Sequence, residues 1–248
     1  MNYIDCKEVN LHYASVAYKE RSLKNLLINL FNLKKRDVII KDVHALKNIS
    51  LKINEGDRVG ILGHNGSGKS TLLKTIAGLY PISDGILNVK GTIRALLDLS
   101  LGFELEASGR ENILYRGLLL GLKPDFIRQV EEEIIAFADI GDFIDYPIKV
   151  YSAGMQVRLA FSISTAIGGD ILLLDEVIGA GDANFMVKAK NRIISLIEQS
   201  KILLLASHDI SSLQSICNRG IVLHKGELVF DGNIDKAILQ YHLINHLD

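Results

Sequence analysis

The stretch Gly63-His64-Asn65-Gly66-Ser67-Gly68-Lys69-Ser70, followed by Thr71, constrains this chain more than any other. It follows Arg58-Val-Gly-Ile-Leu62, an apolar run short enough to be a buried strand, and precedes Thr71-Leu-Leu-Lys-Thr-Ile-Ala77, which opens a helix. A strand, a glycine loop and a helix in this order make a phosphate cradle. Glycines and small polar residues let successive backbone N–H groups turn inward on a phosphate chain, and the positive end of the following helix favours the same anion. Lys69 adds a mobile charge for the β- and γ-phosphates, and the Ser70 hydroxyl is suited to ligate magnesium. All fixed positions of G-x-x-x-x-G-K-[ST] are matched, so the reading is nucleotide binding through residues 63 to 71.

The 248 residues suffice for one large α/β domain with a subdomain. A hydrophobic content of 48%, charged residues at 23% and only 3 prolines describe a well-packed globular chain. The mean hydropathy of +0.21 is high for such a chain and points to greasy surfaces covered by partners. Yet no stretch approaches the ~18 uninterrupted apolar residues of a membrane span, and no signal-peptide order opens the chain. The expectation is a cytoplasmic protein. A formal net charge of −1 gives no reason to expect nucleic acid as the main ligand. Cys6 and Cys217 are too isolated for a disulfide framework or metal site and read as buried small hydrophobes.

In chain order, Tyr3 to Tyr13 reads as an edge strand. Residues 15 to 43 are rich in Lys and Arg, with Leu23, Leu26, Leu27, Leu30 and Phe31 at helical spacing. Such a basic amphipathic helix fits a membrane surface or membrane partner; it also fits a surface helix packed on its own core. Ala45 to Leu62 reads as two strands around a turn at Glu55-Gly56-Asp57, an antiparallel lead-in to a parallel core. A turn at Pro81–Gly85 and a strand at Ile86–Val89 follow the cradle helix. Helical periodicity then runs from about 100 to 165, with helices at 108–121, at 124–138 with Glu131, Glu132 and Glu133 on a solvated face, and from Ser152 through Ala166. This is a helical subdomain inserted in a single domain spanning 1–248. Parallel-sheet strands resume at Ile171–Leu174 and Ile202–Ala206, separated by a helix near 184–199. A hairpin over 220–232 precedes a last helix ending near Leu243.

Three further places carry chemistry. Asp175 and Glu176 stand where a buried strand emerges at the carboxyl edge of the sheet, where α/β folds put ligands. Asp175 is suited to orient magnesium and Glu176 to accept a proton from an attacking water. His208 ends another strand and is suited to bond a γ-phosphate and that water. Tyr151-Ser152-Ala153-Gly154-Met155 opens a long helix: Ser152 is either its cap or part of a second anion site.

Taken together, these motifs resemble the nucleotide-binding subunit of an ATP-binding cassette (ABC) transporter, over nearly the whole chain. Residues 63 to 71 look like its cradle, 151 to 155 like its signature, Asp175-Glu176 like its magnesium and base pair, Gly179-Ala180-Gly181-Asp182 like its dimer-crossing loop and His208 like its switch histidine. The resemblance implies a P-loop NTPase fold with an antiparallel β subdomain and a helical insert. It implies ATP and Mg2+ as ligands, and a homodimer in which Ser152 and Gly154 of one copy face the cradle of the other. It further implies a separate transmembrane permease, expected in two copies, and a peripheral position on the cytoplasmic side of the inner membrane. The contact surface with that permease is expected at about 95 to 125, with Phe103 and Leu105 as apolar candidates. Magnesium would be held by Ser70 and Asp175.

The departures narrow the family. Tyr151, Ala153 and Met155 replace three positions of Leu-Ser-Gly-Gly-Gln. Arg94-Ala-Leu-Leu-Asp98-Leu-Ser-Leu-Gly-Phe103 stands where a glutamine is expected, with Asp98 as the substitute metal contact. With Ser108-Gly-Arg-Glu-Asn-Ile113, these variants look like the subfamily exporting lipid-linked polysaccharide: O-antigen, capsule or teichoic acid. Hydrolysis in this chain would then drive polysaccharide, most of all O-antigen, across the inner membrane without touching it. The resemblance is to the short form, without the C-terminal carbohydrate-binding domain. For the adenine ring two aromatic candidates stand, His44 and Tyr13. The alternatives are a soluble cassette ATPase acting on nucleic acid or ribosomes, which would need a long coiled coil or a second cassette, and a small-molecule P-loop kinase.

Overall fold

The computed structural model describes residues 1–17, 39–97, 102–175 and 183–245. Two sheets and a helical layer are built from them. In the first sheet β1 (Tyr3–Ala17) lies between β2 (Ile39–Asn54) and β4 (Asp84–Lys90), antiparallel to both. The sequence reading made β1 an edge strand, and it is instead the middle one. Ile4 and Cys6, then Val9 and Leu11, are buried in it: each pair alternates as a half-covered strand requires, and the alternation slips by one residue at the irregularity between Cys6 and Val9. Its hydrogen-bonding edges are both used, a property that periodicity does not encode.

The turn at Glu55–Asp57 does not close a hairpin. It passes the chain from the antiparallel sheet into a second, six-stranded one. Here β3 (Arg58–Leu62) pairs in parallel with β7 (Ile202–Ala206) and β8 (Arg219–His224). Next to β7 come β6 (Ile171–Asp175) and β5 (Ile93–Leu96), while β9 (Glu227–Asn233) closes the other edge antiparallel to β8. Every residue of Ile171–Leu174 and Ile202–Ala206 is buried, as expected for strands covered on both faces. One face packs with α1 (Lys69–Ile76) against the antiparallel sheet, through Leu72, Leu73 and Ile76. The other is covered by α5 (Ala183–Gln199), α6 (Ile210–Ile216) and α7 (Ile234–Asn245). The carboxyl ends of β3, β6 and β7 therefore emerge side by side, and that edge is where a ligand belongs.

The helical layer consists of α2 (Gly109–Leu119), α3 (Pro124–Ala138) and α4 (Ala153–Thr165) around Ile113, Ile127, Ile134, Leu159 and Ile163. Ser108 and Glu111 cap α2 reciprocally: the Ser108 N–H donates to Glu111 Oε2 at 2.8 Å and the Glu111 N–H to Ser108 Oγ at 3.2 Å. Pro124 starts α3, where its missing N–H costs nothing. The acids of α3 are not simply solvated as the sequence suggested. Arg110 pairs with Glu131 at 2.6 Å and Arg192 pairs with Glu133, tying α3 to α2 and α5. Phe161, Phe185 and Phe137 form a small aromatic joint between the helical layer and α5. Of the basic 15–43 segment, 15–17 and 39–43 are strand; its Leu stripe lies outside the described residues.

Candidate nucleotide site

The phosphate loop leaves β3 at Leu62 and enters α1 at Lys69. Gly63 has no room for a side chain: with φ +153, a Cβ there would stand 2.4 Å from Ser67 Oγ and 2.5 Å from the Leu223 carbonyl oxygen. The loop closes on itself through the Ser67 N–H, which donates to the His64 carbonyl at 3.1 Å. Lys69 Nζ donates to the carbonyls of Gly63 at 2.6 Å and His64 at 3.1 Å. The ammonium is thus held by the loop it belongs to, and Lys69 is only 7% exposed. Carbonyl dipoles are a weaker partner for a cation than phosphate oxygens, so this arrangement favours exchange when an anion enters. Behind the loop, the buried Ser67 hydroxyl finds no hydrogen-bond partner among the described residues.

A cavity of about 770 Å3 opens in front of the loop. It gathers His64, Asn65, Gly66, Gly68, Lys69, Ser70 and Thr71 with Asp175, His208, Tyr13 and His44, so the sequence candidates from five separate segments converge. His208 Nε2 is 3.1 Å from Asn65 Oδ1, which joins the end of β7 to the phosphate loop. Asp209 next to it caps α6, its carboxylate accepting from the Ser211 N–H at 3.1 Å; the Ser211 and Ser212 hydroxyls that donate to the same carboxylate hold its pKa below the usual value.

The two adenine candidates differ in surroundings. His44 stacks flat on His12, with ring centroids 4.0 Å apart and planes 17° apart, and its Nε2 is 2.8 Å from Asn10 Oδ1. His12 in turn has Nδ1 2.9 Å from Asp42 Oδ2. Tyr13 stands edge-on to Tyr80, with ring centroids 5.6 Å apart, and burial pushes its pKa up. His44 presents a ring already held in a stack on His12, while Tyr13 packs its ring edge-on against Tyr80.

Other candidates are elsewhere. Ser152 is the N-cap of α4, accepting from the Met155 N–H at 3.2 Å, and Gly154 follows in its first turn; neither is on the wall of this cavity. Gly63 and Ser67 form the loop's buried back rather than its face. Asp98, Glu176 and the 179–182 segment lie outside the described residues. Sequence reasoning did not pick out Val43, Ala45, Leu97, Lys225 or Gly226, which complete the wall. The Lys225–Gly226 turn joins β8 to β9, and the Gly226 N–H donates to the Ser67 carbonyl at 3.0 Å while its own carbonyl accepts from the Lys47 N–H at 2.8 Å. A Lys-Gly pair between alternating strands signals a turn, but which sheet end it serves depends on strand order.

A second cavity, of about 480 Å3, lies between the end of α1, β5 and the end of α2. Lys74, Arg94 and Arg116 line it with Leu79, Leu97, Leu119 and Leu120. The Arg116 guanidinium lies 4.8 Å over the Phe103 ring, so Phe103 is partly covered, whereas Leu105 is 52% exposed. Among the described residues no helix is long and apolar enough to cross a membrane.

Comparison with known proteins agrees with this geometry. The chain is 39% identical over 234 residues to the O-antigen export system ATP-binding protein RfbE of Yersinia enterocolitica, covering 92% of this chain and 97% of that protein. It is 41% identical to the O-antigen export system ATP-binding protein RfbB of Myxococcus xanthus over 80% of this chain, and 41% identical to the teichoic acids export ATP-binding protein TagH of Bacillus anthracis over 80%. It spans 46% and 36% of the length of those two relatives. In fold it is similar to a dimeric ATP-binding cassette in a post-hydrolysis state bound to ADP and Pi, with a TM-score of 0.66 and 21% identity, covering 93% of this chain and 98% of that one. An ATP-binding subunit of an ABC transporter gives a TM-score of 0.68 at 16% identity over 97% of this chain and 93% of that one. The ABC transporter family model matches residues 46–179, which takes in the phosphate loop, the 151–155 segment and Asp175, and the chain belongs to that family.

Proposed function

We propose that this chain is the ATP-hydrolysing subunit of an exporter that moves lipid-linked polysaccharide, O-antigen above all, across the inner membrane. The observation that carries the reading is the likeness to RfbE of Yersinia enterocolitica along nearly the full length of both chains, around a phosphate loop whose lysine rests on its own carbonyls. ATP enters the larger cavity with its phosphates on the amides of 63 to 71. Lys69 leaves the Gly63 and His64 carbonyls for the β- and γ-phosphates. The adenine ring stacks on His44, whose orientation the His12 stack fixes.

The residues present fit magnesium: the Ser70 hydroxyl and the Asp175 carboxylate stand on one cavity wall, and oxygen donors are what this cation takes. When bound, the ion neutralises charge on the phosphates. Asp98, from the segment in the place of the usual glutamine, is a further oxygen donor in this reading. Glu176 accepts the proton of the attacking water, and His208, held on Asn65, bonds the γ-phosphate. Ser152 and Gly154 complete the site from a second copy, so the working unit is a homodimer of single-domain chains, the helical layer of about 100–165 forming part of each. A transmembrane partner, in two copies, meets each chain around the second cavity and the exposed Leu105 and Leu119. The chain is then peripheral on the cytoplasmic side of that membrane. Nucleic acid has no part in this reading.

Surface display of polysaccharide in cells tests it. In a strain lacking the chain, the wild-type gene should restore surface polysaccharide, while Lys69→Ala and Glu176→Gln should leave it inside on its lipid carrier. Undiminished surface polysaccharide in the deletion strain would remove the export reading.

A further inference from the structure

We propose that the C-terminal helix α7 is the back wall of the phosphate loop and that Tyr241 is a positioning residue for nucleotide binding, acting through His64. The inference rests on the reading of residues 63 to 71 as the nucleotide cradle. Its starting point is how closely α7 lies on the sheet. A Cβ on Gly220 of β8 would stand 2.5 Å from Ala237 Cβ, and one on Gly60 of β3 would stand 3.0 Å from Ile234 Cδ1. These two strands carry glycine where the helix crosses them, so α7 sits directly on the strand that feeds the loop.

The rest of the helix follows from its period. Ile234, Ala237, Ile238 and Tyr241 form one stripe at helical spacing and pack with Leu62 and Val222 into the core beneath the sheet. Tyr241, the furthest along, reaches the loop itself: its ring lies 5.8 Å from the His64 imidazole, with the planes 51° apart. His64 is the hinge of the cradle, since its carbonyl accepts both the Ser67 N–H and the Lys69 ammonium. A ring that fixes the His64 side chain fixes the peptide on which the catalytic cation waits. The sheet edge thus supports the loop from one side and α7 from the other.

Binding of a fluorescent ATP analogue to the purified full chain, on ice and with magnesium, reads this directly. Tyr241→Ala should weaken binding about three- to tenfold, the scale of one lost aromatic contact. Tyr241→Phe should bind within about twofold of wild type because the contact is made by the ring. Leu239→Ala, on the outward face of the same helix and 64% exposed, should also bind as wild type. Adding Tyr241→Ala to His64→Ala should cause no further loss, since the tyrosine acts only through that side chain. If Tyr241→Ala fails to fold, Tyr241→Leu keeps the buried apolar volume without the ring and carries the same expectation. Wild-type affinity in Tyr241→Ala or Tyr241→Leu, an equal loss in Leu239→Ala, or full additivity with His64→Ala overturns the proposal. A wild-type chain that binds no analogue overturns the cradle reading, whereas normal wild-type binding with unaffected Tyr241 variants overturns the role of α7 alone.

Discussion

At residue scale, Tyr151, one of the departures from the expected signature, has a local physical reason. Tyr151 is only 6% exposed, its ring fills the core of the helical layer, and its hydroxyl donates to the Phe143 carbonyl at 2.6 Å. The same hydroxyl would be 2.3 Å from a Cβ on Gly109, so the tyrosine and the glycine at the start of α2 belong together. Tyr151→Phe should cost about 1 kcal/mol, the net worth of one hydrogen bond, while Gly109→Ala should cost more because the Tyr151 hydroxyl and the Ile144 carbonyl block the methyl. Denaturant unfolding measures both. Burial also pushes the Tyr151 hydroxyl up to about 12 from 10.0. Its folded pKa exceeds its unfolded one, so its contribution is intact below pH 10 and falls away as pH rises towards 12. The Tyr151→Phe variant should lose less stability than wild type across that interval. Ser67 gives the opposite case: its buried hydroxyl lacks a partner among the described residues, so Ser67→Ala should leave the nucleotide-free chain as stable or raise its melting temperature.

At the scale of elements, the helix at 153–165 is capped by Ser152 in the single chain. In the dimer proposed above, the same hydroxyl would face the partner's nucleotide. Ser152→Ala should therefore lower stability by about 1 kcal/mol and leave nucleotide binding to one chain unchanged, while abolishing turnover of the assembled dimer. A helix cap with no further role would lose stability but keep turnover. The cradle, the helices of the insert and the buried strands at 171–174 and 202–206 were legible because each is a local pattern: glycines with Lys-Ser, a 3.6-residue period, an unbroken apolar run. The place of β1 was not, because Tyr3–Tyr13 alternates the same way whether one edge or both are paired. Nor were Lys225 and Gly226, whose approach to Ser67 depends on β8 lying beside β3. The pairing of Glu131 and Glu133 with arginines 21 and 59 residues away is likewise set by how helices pack, not by their own sequence.

For the molecule as a whole, both thiols are buried and their pKa values are pushed up to about 12 by that burial. Neither Cys6 nor Cys217 should react with a thiol reagent at neutral pH until the chain unfolds, so the thiol signal should follow the unfolding transition. Reaction at the native rate of a free thiol would contradict the packing of β1 and α6. The larger organisation is an incomplete machine: a cradle that holds its own lysine, a capped Ser152 away from that cradle, and a cationic, leucine-lined cavity beside the helical layer. In the proposed assembly the cradle would bind nucleotide in the single chain, and a second copy and a membrane partner would complete the rest. The most direct measurement is ATP hydrolysis by the chain in proteoliposomes, with and without the membrane protein encoded beside it, for wild type and Glu176→Gln. The account predicts that the partner raises turnover and that the substitution removes it by about a hundredfold or more. Turnover indifferent to the membrane partner but stimulated by DNA or ribosomes would contradict it.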